Sequence, residues 1–222
     1  AYYGDNAPAL TVKYSGFLEG DDQTELGGEL LFYCRYRKGN DVGTYPIVPS
    51  GLESANYDIT YVSATLTVLK IQLTITADNK TAVYGDEIPV FTVQYSGFIE
   101  DEDESSLTGE LRFECQYEKG GSAGVYAITA EGLASNSYDV NYISGNLTVS
   151  KKSLVVSADD KSVVYGDGIP EYSASYDGFI EGDSVSVLTG EAFFGCEYVE
   201  GSDTGAYPIT VSNLYSSNYL IT

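Results

Sequence analysis

An unbroken internal period restricts this chain more than any other feature of its sequence. Tyr3-Gly4-Asp5 returns as Tyr84-Gly85-Asp86 and again as Tyr165-Gly166-Asp167, each step 81 residues. Cys34, Cys115 and Cys196 keep the same interval, as do Phe17, Phe98 and Phe179, Gly43, Gly124 and Gly205, and Tyr57, Tyr138 and Tyr219. Self-similarity at a fixed period means that one structural unit is built repeatedly and stacked. The expected division is 1–70, 71–151 and 152–222, with the middle copy complete. Copy one lacks the counterpart of residues 73–81 and copy three that of 142–150. Each end copy is therefore expected to be frayed or completed by a partner strand, and the array to continue in further modules on both sides.

A module of this size buries only about 60–65% of the surface that its unfolded chain exposes, so each core is thin. Local patterning is strand after strand. In the middle copy, 73–77, 91–95, 110–117, 125–130 and 146–149 are rich in Val, Ile, Thr, Tyr and Phe, and shorter strands are expected near Ala82 and Tyr138. The breaks carry Gly, Asp, Asn and Pro, and 118–122 has the composition of a hairpin loop. The one helical candidate is an acidic turn over 100–107. The expected fold is all-β, three tandem small β-sandwich-like modules, Ig-like or related, in an extended array; β-grasp-like modules are the alternative. At the junctions only Lys70-Ile71-Gln72 and Lys151-Lys152-Ser153 separate the last strand of one copy from the first of the next. Neither has the Gly/Ser composition of a flexible linker.

The net charge of −22 is spread over all three copies and reads as a solubilising surface. Nucleic acid is excluded as an expected partner because phosphate binding needs clustered Lys and Arg. Bare anionic membrane is disfavoured on the same ground, and no apolar run approaches the ~20 residues of a spanning helix. One Cys per module cannot form a disulfide inside a module. Leu111, Phe113, Cys115 and Tyr117 alternate with Arg112, Glu114 and Gln116, which places the thiol on the apolar face as a small hydrophobe.

Catalysis finds little support. The chain has no His, so the commonest general base and metal ligand is missing. Glu29, Glu110 and Glu191 fall one per module and not as the facing pair that glycoside hydrolysis requires. No cofactor is expected. The one candidate for a cation is the run Glu100, Asp101, Glu102, Asp103, Glu104, with Glu100, Asp101 and Asp103 as calcium ligands. It lacks the spacing and the glycine of an EF-hand loop, and a solvated acidic turn is the competing reading. Lys80 and Lys161 occupy equal positions, as strand-end lysines or as partners for an isopeptide bond. Gly85 is expected at a turn that needs permissive dihedrals, with Asp86 in an Asx turn and Pro89 fixing the exit. Gly97 is expected to end a strand and swing Phe98 into the core.

The phrases Tyr84-Gly85-Asp86-Glu87-Ile88-Pro89, Tyr95-Ser96-Gly97-Phe98, Leu107-Thr108-Gly109, Gly124-Val125-Tyr126-Ala127-Ile128 and Leu147-Thr148-Val149 resemble the MBG domain, the mostly-β glycine-rich repeat of the YGX type. Gly43-Thr44-Tyr45-Pro46-Ile47 and Gly205-Ala206-Tyr207-Pro208-Ile209 carry the likeness into the outer copies. That resemblance implies a large, repetitive bacterial extracellular or cell-surface protein, often adhesin-like, and no catalytic residues. Two functions fit it. In one the modules are spacers whose partners are neighbouring modules of a longer chain. In the other they bind a host glycan or protein directly, for which the candidates are the aromatics at unmatched positions, Tyr33, Tyr172 and Tyr215.

Overall fold

The computed structural model describes residues 1–222. The chain divides into two compact units, one formed by Ala1–Thr76, Val93–Arg112 and Ala130–Ile143, the other by Ala77–Thr92, Phe113–Thr129 and Ser144–Thr222. The division runs through the middle copy, so each junction between copies lies inside one unit.

Copy one contributes β1 (Gly27–Tyr33), β2 (Gly43–Glu53) and β3 (Ala64–Val68), an antiparallel sheet in that order. The middle copy contributes β4 (Ile71–Ala77), β5 (Lys80–Val83), β6 (Val93–Ser96), β7 (Thr108–Cys115), β8 (Gly124–Ala134), β9 (Tyr138–Ile143) and β10 (Gly145–Ser150). These form two sheets, β6-β4-β9 and β5-β10-β8-β7. Copy three contributes β11 (Lys152–Ala158), β12 (Ala174–Asp177), β13 (Phe193–Gly195), β14 (Thr210–Ser212) and β15 (Tyr219–Ile221), again in two sheets, β12-β11-β15 and β13-β14. The chain is all-β with sandwich-like sheets. It has no α-helix, which leaves the β-grasp-like alternative without its helix. No helix is long and apolar enough to cross a membrane.

Strand positions follow from patterning. Along β10, Gly145, Leu147 and Val149 are buried while Asn146, Thr148 and Ser150 are exposed, the period of two that a half-covered sheet imposes. Along β4, Leu73, Ile75 and Ala77 are buried, and Thr74 and Thr76 are half-covered on the other face, as befits a central strand. Three pairings are parallel, β4 with β9 from Ile71↔Tyr138 to Thr76↔Ile143, β10 with β5 from Leu147↔Lys80 to Ser150↔Val83, and β11 with β15 from Lys152↔Tyr219 to Leu154↔Ile221. A parallel pair needs a long crossover, so the first and last strands of a module meet only after everything between them has folded.

Copy one has no residues matching β4, and Tyr57–Val62, which match β9, form no strand. Val62 there is 81% exposed. A cavity of about 590 Å³, lined in part by Val12, Tyr14, Phe32, Ile59 and Tyr61, marks where such a strand would lie. In copy three the second sheet shrinks to the two short strands β13 and β14, and a cavity of about 740 Å³ opens among residues including Val163, Tyr172, Cys196 and Tyr207.

The acidic run becomes a single 3-10 turn, Glu104–Ser106, instead of an α-helix. Asp103 caps it by accepting from Ser105 N at 2.9 Å, and Asp22 and Ser184 cap the equivalent turns Gln23–Glu25 and Val185–Val187. The three cysteines are free and half-buried, less enclosed than their alternation predicts. Cys34 packs beside the buried Tyr36, Leu66 and Val68. Leu73 and Ile75 are both fully buried on β4, the strand on which β6 and β9 both depend. Ile75→Ala is expected to lower unfolding stability by about 2–5 kcal/mol, read as a shift in the denaturant midpoint. An equivalent loss is not expected for Val62→Ala, at a site already open to water.

Candidate interaction site at the module junctions

Both junctions are built from the same seven residue positions. The Tyr-Gly-Asp turn near the start of one copy faces, in the next copy, a Phe with an apolar neighbour, an acidic residue and a Tyr. In the first unit these are Tyr3-Gly4-Asp5 against Phe98, Ile99, Glu102 and Tyr138. In the second they are Tyr84-Gly85-Asp86 against Phe179, Ile180, Asp183 and Tyr219.

The turn is fixed locally. Asp86 N donates to Val83 O at 2.9 Å, and Asp86 Oδ2 accepts from Val83 N at 3.1 Å. The carboxylate thus reaches back three residues and does not make the forward Asx turn expected from sequence. Tyr2 N donates to Asp5 Oδ2 at 2.7 Å and Val164 N to Asp167 Oδ2 at 3.0 Å, so all three copies share the device. Gly85 adopts φ +89°, in the left-handed region that disfavours a side chain. A Cβ there would also sit 2.5 Å from Ile180 Cγ2, and one on Gly4 (φ +83°) would sit 2.9 Å from Ile99 Cγ2. Glycine therefore serves twice at each junction, for the turn and for the close approach of the isoleucine.

On the receiving side the Phe and Tyr rings meet edge to face. Phe98 and Tyr138 lie 5.3 Å apart at 83°, and Phe179 and Tyr219 5.3 Å apart at 87°. The incoming tyrosine adds a second edge contact, Tyr3 on Tyr138 at 5.7 Å and Tyr84 on Tyr219 at 5.3 Å. Such pairs contribute about 0.5–1.5 kcal/mol each beyond area burial.

One carboxylate joins the two phenols. Glu102 accepts from Tyr3 Oη at 2.5 Å through Oε1 and from Tyr138 Oη through Oε2. Asp183, one methylene shorter, accepts both through Oδ2, from Tyr84 at 3.1 Å and from Tyr219 at 2.6 Å. The Tyr138 and Tyr219 hydroxyls also accept from Ile99 N and Ile180 N, at 3.1 and 3.0 Å. Burial first, then the carboxylate, pushes Tyr138 and Tyr219 up to about 12 from the ordinary 10.0. Tyr3 and Tyr84 are raised as well, Tyr3 chiefly by its bond to Glu102 and Tyr84 chiefly by burial.

The connecting segment is pinned too. Lys70 Nζ donates to Ser135 O and Lys151 Nζ to Ser216 O, both at 2.7 Å. Ile71 N donates to Ser137 O at 3.3 Å and Lys152 N to Asn218 O at 3.0 Å.

The sequence-selected candidates fall elsewhere. Glu100, Asp101 and Asp103 are all exposed, and no three acidic or Cys side chains converge as a metal-holding group. Asp101 sits at φ +70° and Asp103 is engaged as the turn cap. Of the same run only Glu102 reaches the junction, a role its local composition did not signal. Its sign was the register, because Asp21, Glu102 and Asp183 are acids at equal positions. Among the unmatched aromatics, Tyr33 and Tyr215 are exposed, while Tyr172 is half-buried with its ring tilted 39° to that of Phe194 at 5.9 Å. Lys80 Nζ donates to Thr92 Oγ1 at 2.8 Å and Lys161 Nζ to Ser173 Oγ at 2.7 Å, each an exposed amine on a hydroxyl.

The sequence model of the MBG domain (YGX type) matches residues 1–67, 73–148 and 154–222. No curated protein and no solved structure matches the chain.

Two outcomes follow from this geometry. Gly85→Ala and Gly166→Ala enter turns of nearly equal φ, +89° and +91°, but only the first meets an isoleucine. Both are expected to cost about 1–3 kcal/mol for backbone strain, and thermal melts should show Gly85→Ala to be the more damaging. The raised phenols also make stability pH-dependent. A folded pKa above the unfolded one contributes stability that is complete below about pH 10 and is lost as pH rises through about 12. Tyrosinate absorbance and circular dichroism, followed together, should show the buried phenols ionising with loss of strand signal.

Proposed function

The chain belongs to the MBG domain (YGX type) family, and from that premise we propose that it is a non-catalytic stalk or spacer segment of a bacterial cell-surface or secreted adhesin-like protein. The observation that carries this reading is the junction. A spacer that transmits force or holds a distal domain away from a surface needs its modules fixed to one another. Here each connecting segment is short, hydrogen-bonded along its length, and flanked by a turn seated on the next copy. Gly/Ser linkers, by contrast, leave domains free to reorient.

The chemistry elsewhere agrees with this role. MBG repeats are not known as an enzymatic fold and occur in extracellular surface proteins. The chain has no His, and its thiols are half-buried and free. Its strong negative charge favours a soluble, mutually repelling surface.

A second reading, direct binding of a host glycan or protein, rests on Tyr33 and Tyr215, which are 56% and 62% exposed. Aromatic faces of that kind serve sugars and proteins alike. The spacer reading favours no saturable binding of the chain in a glycan and mucin screen; binding lost on Tyr215→Ala would replace it. Small-angle scattering provides the positive test. A spacer is expected to give the long, skewed distance distribution of an elongated particle, and the profile of a compact globule would overturn it.

A further inference from the structure

The strands that open a copy and the strands that close it run side by side in the same direction, and their register is constant. Tyr138 on β9 lies 67 residues after its partner Ile71 on β4, and Leu147 on β10 lies 67 after Lys80 on β5. Tyr219 on β15 lies 67 after Lys152 on β11, and the single parallel bridge Tyr2↔Leu69 keeps the same interval. In the middle copy the first unit holds six such pairs and the second unit four, all of them well inside the chain with a copy on either side. Leu73, Ile75 and Leu147 are fully buried on these strands, which shields the ladders on their core side. The start of the second ladder is locked on both strands. Asn146 N donates to Asn79 Oδ1 at 2.8 Å, and a Cβ on Gly145 would sit 2.4 Å from Ala77 O.

Direction decides what tension does to a strand pair. In the first unit a load along the chain draws β4 by Ile71 against β9 by Ile143, and in the second it draws β5 by Lys80 against β10 by Ser150. In a parallel pair those residues stand at opposite ends of the ladder, so all its hydrogen bonds are sheared together. An antiparallel pair such as β8 with β10 places Gly124 beside Val149, and pulling on that shared end opens the bonds one after another. Little slack precedes the ladders, because only Leu69 and Lys70 lie between β3 and β4 and only Lys151 between β10 and β11. We propose that the parallel ladder of opening and closing strands is the load-bearing element of each copy, carrying tension from one copy to the next and giving way in shear. The inference rests on strand direction alone. A compact scattering profile would remove the spacer reading and leave this one standing, and the force measurement can fail while the spacer reading holds.

Single-molecule stretching of the whole chain is the test, since forced unfolding follows the unfolding rate and not equilibrium stability. Held by handles on its two ends, the chain is expected to release the middle copy last, in one step on the order of 250 Å, the extended length of that copy less its folded span. Held instead at K119C and S150C, with Cys34, Cys115 and Cys196 replaced by serine, the same copy is loaded at one end of the β8-β10 pair and should open at a lower force. Two proline variants separate the ladder from stability in general. Tyr84 N donates to Ser150 O at 2.9 Å and Ser150 Oγ to Ala82 O at 3.2 Å, while Val83 N turns away to Asp86 Oδ2. Alternation along β5 therefore points Ala82 N at β10 and Thr81 N at solvent. Ala82→Pro removes a ladder bond and is expected to speed unfolding of the middle copy at fixed force by about tenfold, whereas Thr81→Pro should stay within about twofold of the parent. Equal forces in the two pulling directions overturn the proposal, as does an Ala82→Pro chain that unfolds no faster than Thr81→Pro. Should circular dichroism show that Ala82→Pro does not fold, the comparison of pulling directions decides alone.

Discussion

Two phenols sharing one carboxylate govern how this chain is put together. Neither a lone Tyr-carboxylate bond nor a lone ring contact would orient a module. Together, however, the hydrogen bonds from Tyr3 and Tyr138 to Glu102 and the edge contact between their rings fix direction as well as distance. A carboxylate accepts from two donors without strain, and each bond to a charged acceptor is stronger than a neutral one. The glycine beside the incoming tyrosine is part of the same device, since any Cβ on Gly4 or Gly85 would push the isoleucine, and with it the ring, out of reach.

That arrangement also explains why so acidic a chain keeps acids at its junctions. The carboxylates are not simply solvated charge, because their partners are hydroxyls whose ionisation they suppress. The second junction shows that the geometry tolerates a change of length: Asp183 gathers both phenols on one oxygen, where Glu102 uses two. The remaining acids lie mostly on exposed strand faces and turns, where they keep the surface hydrated and discourage lateral association.

Within a module, the decisive feature is that the first strand pairs in parallel with one near the end. β4 lies between β6 and β9, and β5 continues along β10, so the whole length of the copy is committed before either sheet is complete. Copy one, which has no residues at the β4 position, keeps the antiparallel β1-β2-β3 sheet but no strand at Tyr57–Val62. Hairpin-like pairings close locally, whereas the parallel pairings stand or fall with a distant partner.

Much of this was legible in the sequence. The unbroken period set three copies of one module, alternation of Val, Ile, Leu and Tyr with polar residues placed the strands, and Tyr84-Gly85-Asp86 announced a glycine turn, which Gly85 makes at φ +89°. These are local properties, carried by residues a few positions apart. The use of Glu102 was not legible, because it is settled by partners 99 and 36 residues away, Tyr3 and Tyr138. Composition around Glu100, Asp101 and Asp103 pointed to a cation, while the fold spends Asp103 on a turn cap and leaves the other two in water. Nor does alternation tell how deeply a residue is covered, so the thiols of Cys34, Cys115 and Cys196 face inward yet remain half-buried at thin core margins. Period and patterning thus determined which strands exist and how often. Only the tertiary structure decided which side chains meet across a junction, because that depends on the distance-dependent packing of segments that sequence order keeps apart.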